Sequence, residues 1–551
     1  MKYTRPFLVY FILSLSLVSQ CANSNRRFDE NSIVIGTTTE PENLNPLYPL
    51  SSISSDINTL IFNNLLRLNE DLISFSPELA TSYRFSDDSL AVTFFLNTNI
   101  FWHDGEKMTA EDVVFTYEMQ TNKSVAWDGL SYKKNISRVL TVNDSTVVFR
   151  FKKRTPFMLM DANEGKILPK HILSQYSPED LFTTEFSHHP IGTGPYKLTE
   201  WKSQQYLLLT KNESYFKPTK PHISSVIFKI VTDKSILFQQ ILTNEVDLVH
   251  DVSPQNINRI EKNYSQLKVL QYAGKNYDFI GWNLVNKDSF DTLKKKISAN
   301  PSKTIPKIKP HRLFGDVKIR QALSMVIDRE KICQNLMKGN AEPISQPYLI
   351  FPDFNKNMPA APYNPKTAKK ILEECGWKDS DGDGILDKEG IPFRFTLYTN
   401  AGNPWREQLM MVLQQEFKTL AIEMIPRKVE ANYLVSEIIP EKKFDALLLG
   451  WNTSIKPDFT ALFHSSQYLH PFHLTGYYSA DLDSLLTKNI SAENLHCYTK
   501  TLKKINTILS EDAPYTWLYF KNNNVVYNKK IKNFKPSIIN KYQYLEDFKI
   551  K

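Results

Sequence analysis

Short β-rich runs alternate with capped helical segments along the whole of this chain, and that alternation restricts it to a mixed α/β architecture. Ser32 to Gly36, Ala91 to Leu96, Val147 to Phe151, Ser225 to Val231 and Tyr277 to Asn283 carry the β-branched and aromatic content of strands. Between them the helix starts are written in capping chemistry. Thr109 precedes Glu111 and Asp112, an N-cap with acids in the first turn. Asn364 precedes Pro365, whose fixed φ suits the first helical position. Ala368, Ile371, Leu372 and Cys375 then recur at helical spacing, with a buried inert thiol expected at Cys375 and a stop at Gly376. Arg320 to Met337 predicts one long amphipathic segment, with Leu323, Val326, Ile327 and Ile332 on its apolar face.

With 551 residues, 41% apolar and 23% charged, the chain is sized for several domains and is not disordered as a whole. Four cysteines are too few for a disulfide scaffold, and no CxxC supports a zinc ribbon or a thioredoxin-type motif. The one long apolar run is Phe7 to Val18, shorter than the roughly 20 residues a membrane span needs. It follows Lys2 and Arg5, the pattern of a signal peptide, here residues 1–20. The run stops at Ser19-Gln20-Cys21, which resembles the lipobox of bacterial lipoproteins, whose cysteine becomes the lipid-modified first residue of the mature chain. Gln20 stands where a small residue is usual; the alternative is an ordinary secretory peptide with a free Cys21 nearby. Either way the protein is exported.

Without residues 1–20 the chain keeps 65 basic against 59 acidic residues. Part of the basic charge is concentrated between Lys287 and Arg312, a stretch with almost no aromatics. A nucleic-acid groove would interleave stacking side chains, so a solvated loop is expected there, with contact to an anionic surface as the alternative. Domain boundaries are expected in the basic, proline-containing residues 300–312 and in the proline-rich residues 352–365.

No catalytic spacing emerges. GxSxG, HExxH and GxxxxGK[ST] do not occur, and Pro195-Tyr196 after Gly192-Thr193-Gly194 does not open a helix, so no Rossmann fingerprint is made. Asp379-Ser380-Asp381-Gly382-Asp383-Gly384 is the front half of a calcium loop, but its twelfth position is Gly390 and Glu389 is one residue out of register. A solvated Asp/Gly loop is the alternative. His464, His470 and His473 could hold a divalent metal, although Pro471 opposes a helical face.

Four strings, in order, carry a family resemblance. They are Phe101-Trp102-His103-Asp104-Gly105 with Thr109 to Thr116; Ile191 to Leu198; Asp316 to Leu323 running on to Arg329; and Tyr363-Asn364-Pro365 through Trp377 with the Asp/Gly loop. Together they resemble the family 5 extracellular solute-binding proteins, the dipeptide, oligopeptide and nickel receptors of ABC importers. The resemblance implies a two-lobed α/β fold of the periplasmic-binding-protein type (class II), with an additional domain on the first lobe. Segments 31–65, 191–274 and 525–551 would form lobe I, 66–190 the additional domain and 275–524 lobe II. It implies a peptide ligand, permease partners and a membrane tether at Cys21, with no enzyme activity, cofactor, metal or nucleic acid. The alternatives are a nickel or metal-chelate receptor using the His464–His473 region, and a secreted hydrolase.

A peptide brings N–H and C=O groups that an exposed strand can pair. Tyr277, Phe279, Gly281 and Asn283, on the strand the resemblance puts at the hinge-side edge, are therefore expected to line the cleft, with Gly281 allowing close backbone approach; an ordinary core strand is the alternative. Trp451 would wall the cleft. Family peptide binders often carry an Asp three residues later to meet the ligand ammonium; here Ser454 stands there, with Asp458 as a substitute further on. Tyr48 and Trp405 complete the candidates.

Overall fold

The computed structural model describes residues 29–299, 309–348 and 362–551. The signal-peptide and Cys21 readings, and most of the two boundary loops, lie outside the described residues.

Three main sheets organise the chain. The first has seven strands in the order Leu267–Tyr272, Asn523–Asn528, Leu248–His250, Ser32–Thr37, Ser225–Ile230, Tyr206–Lys211 and Tyr196–Lys202. Ser32–Thr37 runs parallel to both neighbours, and its Ile33 and Ile35 are fully buried. The second has six strands: Ala341–Pro343, Tyr515–Lys521, Asn276–Trp282, Ala446–Asn452, Arg394–Asn400 and Glu423–Val429. A separate antiparallel sheet of Ala80–Phe85, Ala91–Leu96, Thr146–Phe151 and Ile136–Asn143 makes a third body.

The chain crosses between the two large sheets twice at one place. It leaves the first sheet at Tyr272 and enters the second at Asn276, then leaves the second at Lys521 and re-enters the first at Asn523. The two crossings touch: a side chain on Gly274 would meet the Lys521 carbonyl oxygen at 2.1 Å. Two adjacent single-strand links are the form a hinge takes, because few backbone torsions separate the bodies.

The capping chemistry holds where it was legible. Helix Ala110–Thr121 starts at Thr109, whose N–H donates to Asp112 Oδ2 at 2.8 Å; Asp112 Oδ1 also accepts the Lys170 N–H at 2.9 Å. Helix Pro365–Glu374 starts on Asn364, whose Oδ1 accepts from Thr367 N at 3.0 Å. Cys375 is half-buried at its end rather than buried, and Cys333 is the buried thiol.

Two expectations are corrected. Arg320 to Met337 is not one helix. Val317–Met325 ends, and Asp328 caps a new turn by accepting the Lys331 N–H at 2.9 Å while Arg329 turns inward to donate to the Trp517 carbonyl at 2.6 Å. The basic stretch is also not all loop: Lys287–Ala299 is helical, because Phe290 and Leu293, three residues apart, form an apolar face against Val285 and Tyr468.

Two of the four family strings meet. His103 Nδ1 accepts the Gly192 N–H at 3.2 Å and His103 N donates to the Gly192 carbonyl at 2.9 Å. With Nδ1 accepting, the ring proton sits on Nε2 and is donated to Gly194 O at 3.1 Å. Burial pushes the imidazole down to about 4, against the Gly194 carbonyl, which favours a ring proton. The unfolded imidazole titrates near 6.5, so on acidification the unfolded chain takes up a proton that the folded chain refuses. Stability from this seam is therefore present above about pH 6.5 and is lost as pH falls towards 4, by at most about 3 kcal/mol. The expected result is that the stability advantage of wild type over His103→Gln, measured by urea unfolding, shrinks between pH 7.5 and 4.5. An advantage independent of pH would remove the assignment.

Candidate binding cavity

A cavity of about 350 Å³ lies where the three bodies meet. Helix Ser52–Ile61 gives it Ser55, Asn58 and Thr59; the third body gives Arg67, Glu78 and Asn163 to Lys166; the C-terminal segment gives Asn540, Tyr542 and Glu546. Lys275 enters from the hinge and Ile455 from the loop after strand Ala446–Asn452.

One end is a closed ion network. Glu546 accepts from Arg67 at 2.8 Å, Lys217 at 2.8 Å and the Tyr215 hydroxyl at 3.0 Å. Burial alone would raise its carboxyl, but the two cations hold it down to about 2. Arg67 also faces Glu78 at 3.5 Å, and Glu78 accepts from Asn63 Nδ2 and Asn64 N. These charges serve each other.

The Asn163–Lys166 segment is clamped from behind. Asn64 Nδ2 donates to the carbonyls of Asn163 and Gly165 at 3.0 and 2.9 Å. The buried Lys133 ammonium donates to those of Asp161 and Glu164 at 3.0 and 2.7 Å, capping the end of helix Met158–Asn163. Burial lowers Lys133 to about 8.

The third body also touches the second sheet's side. Asp161 pairs with Lys456 at 3.1 Å, and Phe157 packs edge-on to Tyr498 with centroids 4.8 Å apart. Leu72, Phe157 and Met160 join the core that contains Tyr277, Phe279 and Trp517. The cavity is thus flanked by contacts among all three bodies and stays partly open.

A family model for bacterial extracellular solute-binding proteins, family 5 (middle), matches residues 74–468. The chain belongs to that family. Over 510 residues the solute-binding protein is 32% identical to the oligopeptide-binding protein AppA of Bacillus subtilis (strain 168), covering 91% of this chain and 88% of the relative. A solved structure of AppA from Bacillus subtilis in complex with a nonapeptide superposes with a TM-score of 0.71 at 31% identity, covering 94% of this chain and 99% of that one. NikZ from Campylobacter jejuni in complex with Ni(L-His) gives 0.74 at 26% identity, covering 95% and 100%. The two-lobed fold is the family's, and its members are transport receptors rather than enzymes, so the hydrolase alternative falls.

None of the nine residues singled out from sequence borders the cavity. Strand Asn276–Trp282 has both edges paired, to Ala446–Asn452 and to Tyr515–Lys521, so the expected free edge does not exist. Tyr277 and Phe279 are buried in the aromatic core; Phe279 stacks on Tyr515 at 4.4 Å. Gly281 is not under close approach, since a Cβ there would meet nothing nearer than 3.5 Å. Asn283 is buried and donates to the carbonyls of Lys442 and Phe444 at 3.2 and 2.7 Å. Trp451 is half-buried, edge-on to Phe472 at 5.2 Å. Trp405 packs on the core behind the second sheet, and Tyr48 packs on Phe182 beside the cavity-lining Pro46 and Pro49. Ser454 and Asp458 are exposed; each accepts a backbone N–H of its own loop, from Lys456 at 3.2 Å and Thr460 at 2.9 Å.

The histidine cluster does not converge. His473 is fully buried beside Lys442, whose ammonium donates to the Leu474 carbonyl at 2.7 Å, while His470 is exposed. Among the described residues the carboxylates that do converge are Asp379, Asp381 and Asp387, and they are taken up by the loop's own N–H and Ser380 hydroxyl groups. What sequence reading missed is Asn58, Glu164, Lys166, Lys275 and the Arg67–Glu546 pair. The one available signal was opposite charges flanking a glycine, Glu164-Gly165-Lys166, directly after a helix.

Proposed function

We propose that this protein is the peptide receptor of an ABC importer, capturing peptides between its lobes and handing them to the membrane permease. In this reading segments 31–65, 191–274 and 525–551 form lobe I, 66–190 the additional domain and 275–524 lobe II. Residues 1–20 are removed on export and a lipid on Cys21 tethers the receptor to a membrane. The observation that carries the reading is the partly open cavity at the junction of the three bodies, lined by polar and apolar side chains alike and reached by Lys275 from the crossing between the sheets. Relatives named for oligopeptide and dipeptide binding support the ligand class.

The test is native mass spectrometry of the purified protein, followed by thermal unfolding with added peptide mixtures. Bound masses matching peptides, and a midpoint that rises with peptide concentration, are expected, because a ligand binding only the folded state stabilises it by mass action, about 2.7 kcal/mol at a hundredfold excess over Kd. A stoichiometric metal chelate and no response to peptides would replace this reading with the metal-chelate receptor.

A further inference from the structure

Six charged residues border the cavity, three of each sign: Arg67, Lys166 and Lys275 against Glu78, Glu164 and Glu546. Arg67, Glu78 and Glu546 are consumed in the ion network described above. Lys275 donates to the Ile539 carbonyl at 3.2 Å. Glu164 and Lys166 remain, and among the described residues neither side-chain charge has a direct hydrogen-bond or ion-pair partner. Both lie deep in the protein, yet both are only half-buried, because the cavity opens onto them. Burial raises the Glu164 carboxyl, against the opposing pull of Lys133, Lys166 and Lys275, and lowers the Lys166 ammonium, against that of Glu78 and Glu164.

Their backbone is held firmly. Lys133 binds the Glu164 carbonyl and Asn64 the Gly165 carbonyl. Gly165 sits at φ +90°, and a Cβ on it would meet the Gln120 side chain at 2.1 Å, so the two charged residues flank a point pressed against its neighbours. A second, independent feature borders the same space. Asn58 is 3% exposed and borders the cavity, yet neither its Oδ1 nor its Nδ2 has a partner. A buried amide with both donor and acceptor unused costs stability unless a ligand or water completes it. A peptide bond offers the complementary pair, one C=O and one N–H.

We infer that Glu164 and Lys166 read the two termini of a short zwitterionic peptide, Glu164 taking the free ammonium and Lys166 the free carboxylate, with Asn58 on the peptide group between them. This rests on the peptide-receptor reading and narrows it. Opposite charges two residues apart suit a ligand whose own charges are close together. The cavity volume agrees, lying near the low end of the roughly 300–1,000 Å³ of small-ligand sites. Glu164, from the additional domain, supplies the counter-charge that Ser454 lacks.

The test presents the purified full chain with a partial casein hydrolysate spanning dipeptides to decapeptides, untreated, N-acetylated or C-amidated, and quantifies retained peptides by mass spectrometry. Wild type is expected to retain untreated short peptides and to hold acetylated or amidated forms at least tenfold less. Glu164→Gln, similar in shape, should lose the discrimination against acetylation while keeping that against amidation; Lys166→Met should do the reverse. Thermal unfolding confirms that each variant is folded. Equal retention of all three preparations by wild type, or an equal loss of untreated and acetylated peptides in Glu164→Gln, overturns the inference and leaves the receptor reading standing. Retention of no peptide in any form overturns both.

Discussion

Replacing Asp278 with alanine is expected to remove about 3–5 kcal/mol of stability, the cost of stranding buried charges after one partner is deleted. Asp278 has a 2% exposed side chain. Its Oδ1 accepts from Arg406 Nη2 at 2.9 Å and Nε at 3.2 Å, and its Oδ2 from Lys521 Nζ at 2.8 Å and the Tyr519 hydroxyl at 3.0 Å. Burial alone would raise this carboxyl; Lys521 and Arg406 instead hold it below the usual carboxylate range. Its folded pKa is depressed, so its contribution is present above the unfolded value near 3.9 and is lost as pH falls through the folded one. The position matters as much as the energy. Asp278 lies on the strand that enters the second sheet from the crossing, Lys521 ends the strand that leaves it, and Arg406 begins helix Pro404–Lys418. The carboxylate therefore ties both hinge strands to one helix. Gly450 makes room for the pair, since a Cβ there would meet Asp278 Oδ1 at 2.2 Å and Arg406 at 2.4 Å. Urea unfolding of wild type and Asp278→Ala at neutral pH measures the loss. A difference under about 1 kcal/mol, the range of exposed ion pairs, would mean the network is not the clamp described.

The strand and helix positions were legible because local chemistry specifies them. Thr109, Asn364 and the alternation in Ser225–Ile230 need no distant partner to act. The break after Met325 was not legible, because Arg329 turns inward towards a carbonyl 188 residues away. The family strings located the fold, yet their own residues turned out to be joints: His103 against Gly192 and Gly194. The cavity was least legible. Glu546 and Arg67 are separated by 479 residues and look like ordinary surface charges in sequence. Tyr277 to Asn283 showed aromatic content that fits an edge or an interior strand equally well. Only the pairing partners on both sides decide which it is, and those partners lie far along the chain.

Gly194→Ala is expected to destabilise the protein by about 3 kcal/mol or more, at the upper end for overpacking, while Gly281→Ala changes stability by less than about 1 kcal/mol. The contrast follows from what each Cβ would meet. At Gly194 it would lie 2.3 Å from the Leu60 carbonyl oxygen and 2.5 Å from the Ile61 carbonyl carbon, which are backbone atoms ending helix Ser52–Ile61. At Gly281 the nearest atoms are side-chain carbons of Phe279 and Thr475 at 3.5 Å, an ordinary van der Waals contact. Nor can the Gly194 segment move aside. Its N–H donates to Ile61 O at 2.7 Å, its carbonyl accepts from Asn212 Nδ2 at 3.0 Å and from His103, and neighbouring Thr193 donates to Asn63 at 3.1 Å. Shifting it would break bonds on both faces. The same helix carries the cavity-bordering Asn58, and the same seam fixes the third body that carries Glu164 and Lys166. Overpacking at Gly194 should therefore lower ligand affinity along with stability, whereas Gly281→Ala should leave both near wild type. Parallel urea titrations and peptide-binding measurements on the two variants read this out, and a tolerated Gly194→Ala would mean the seam is looser than its hydrogen bonds imply.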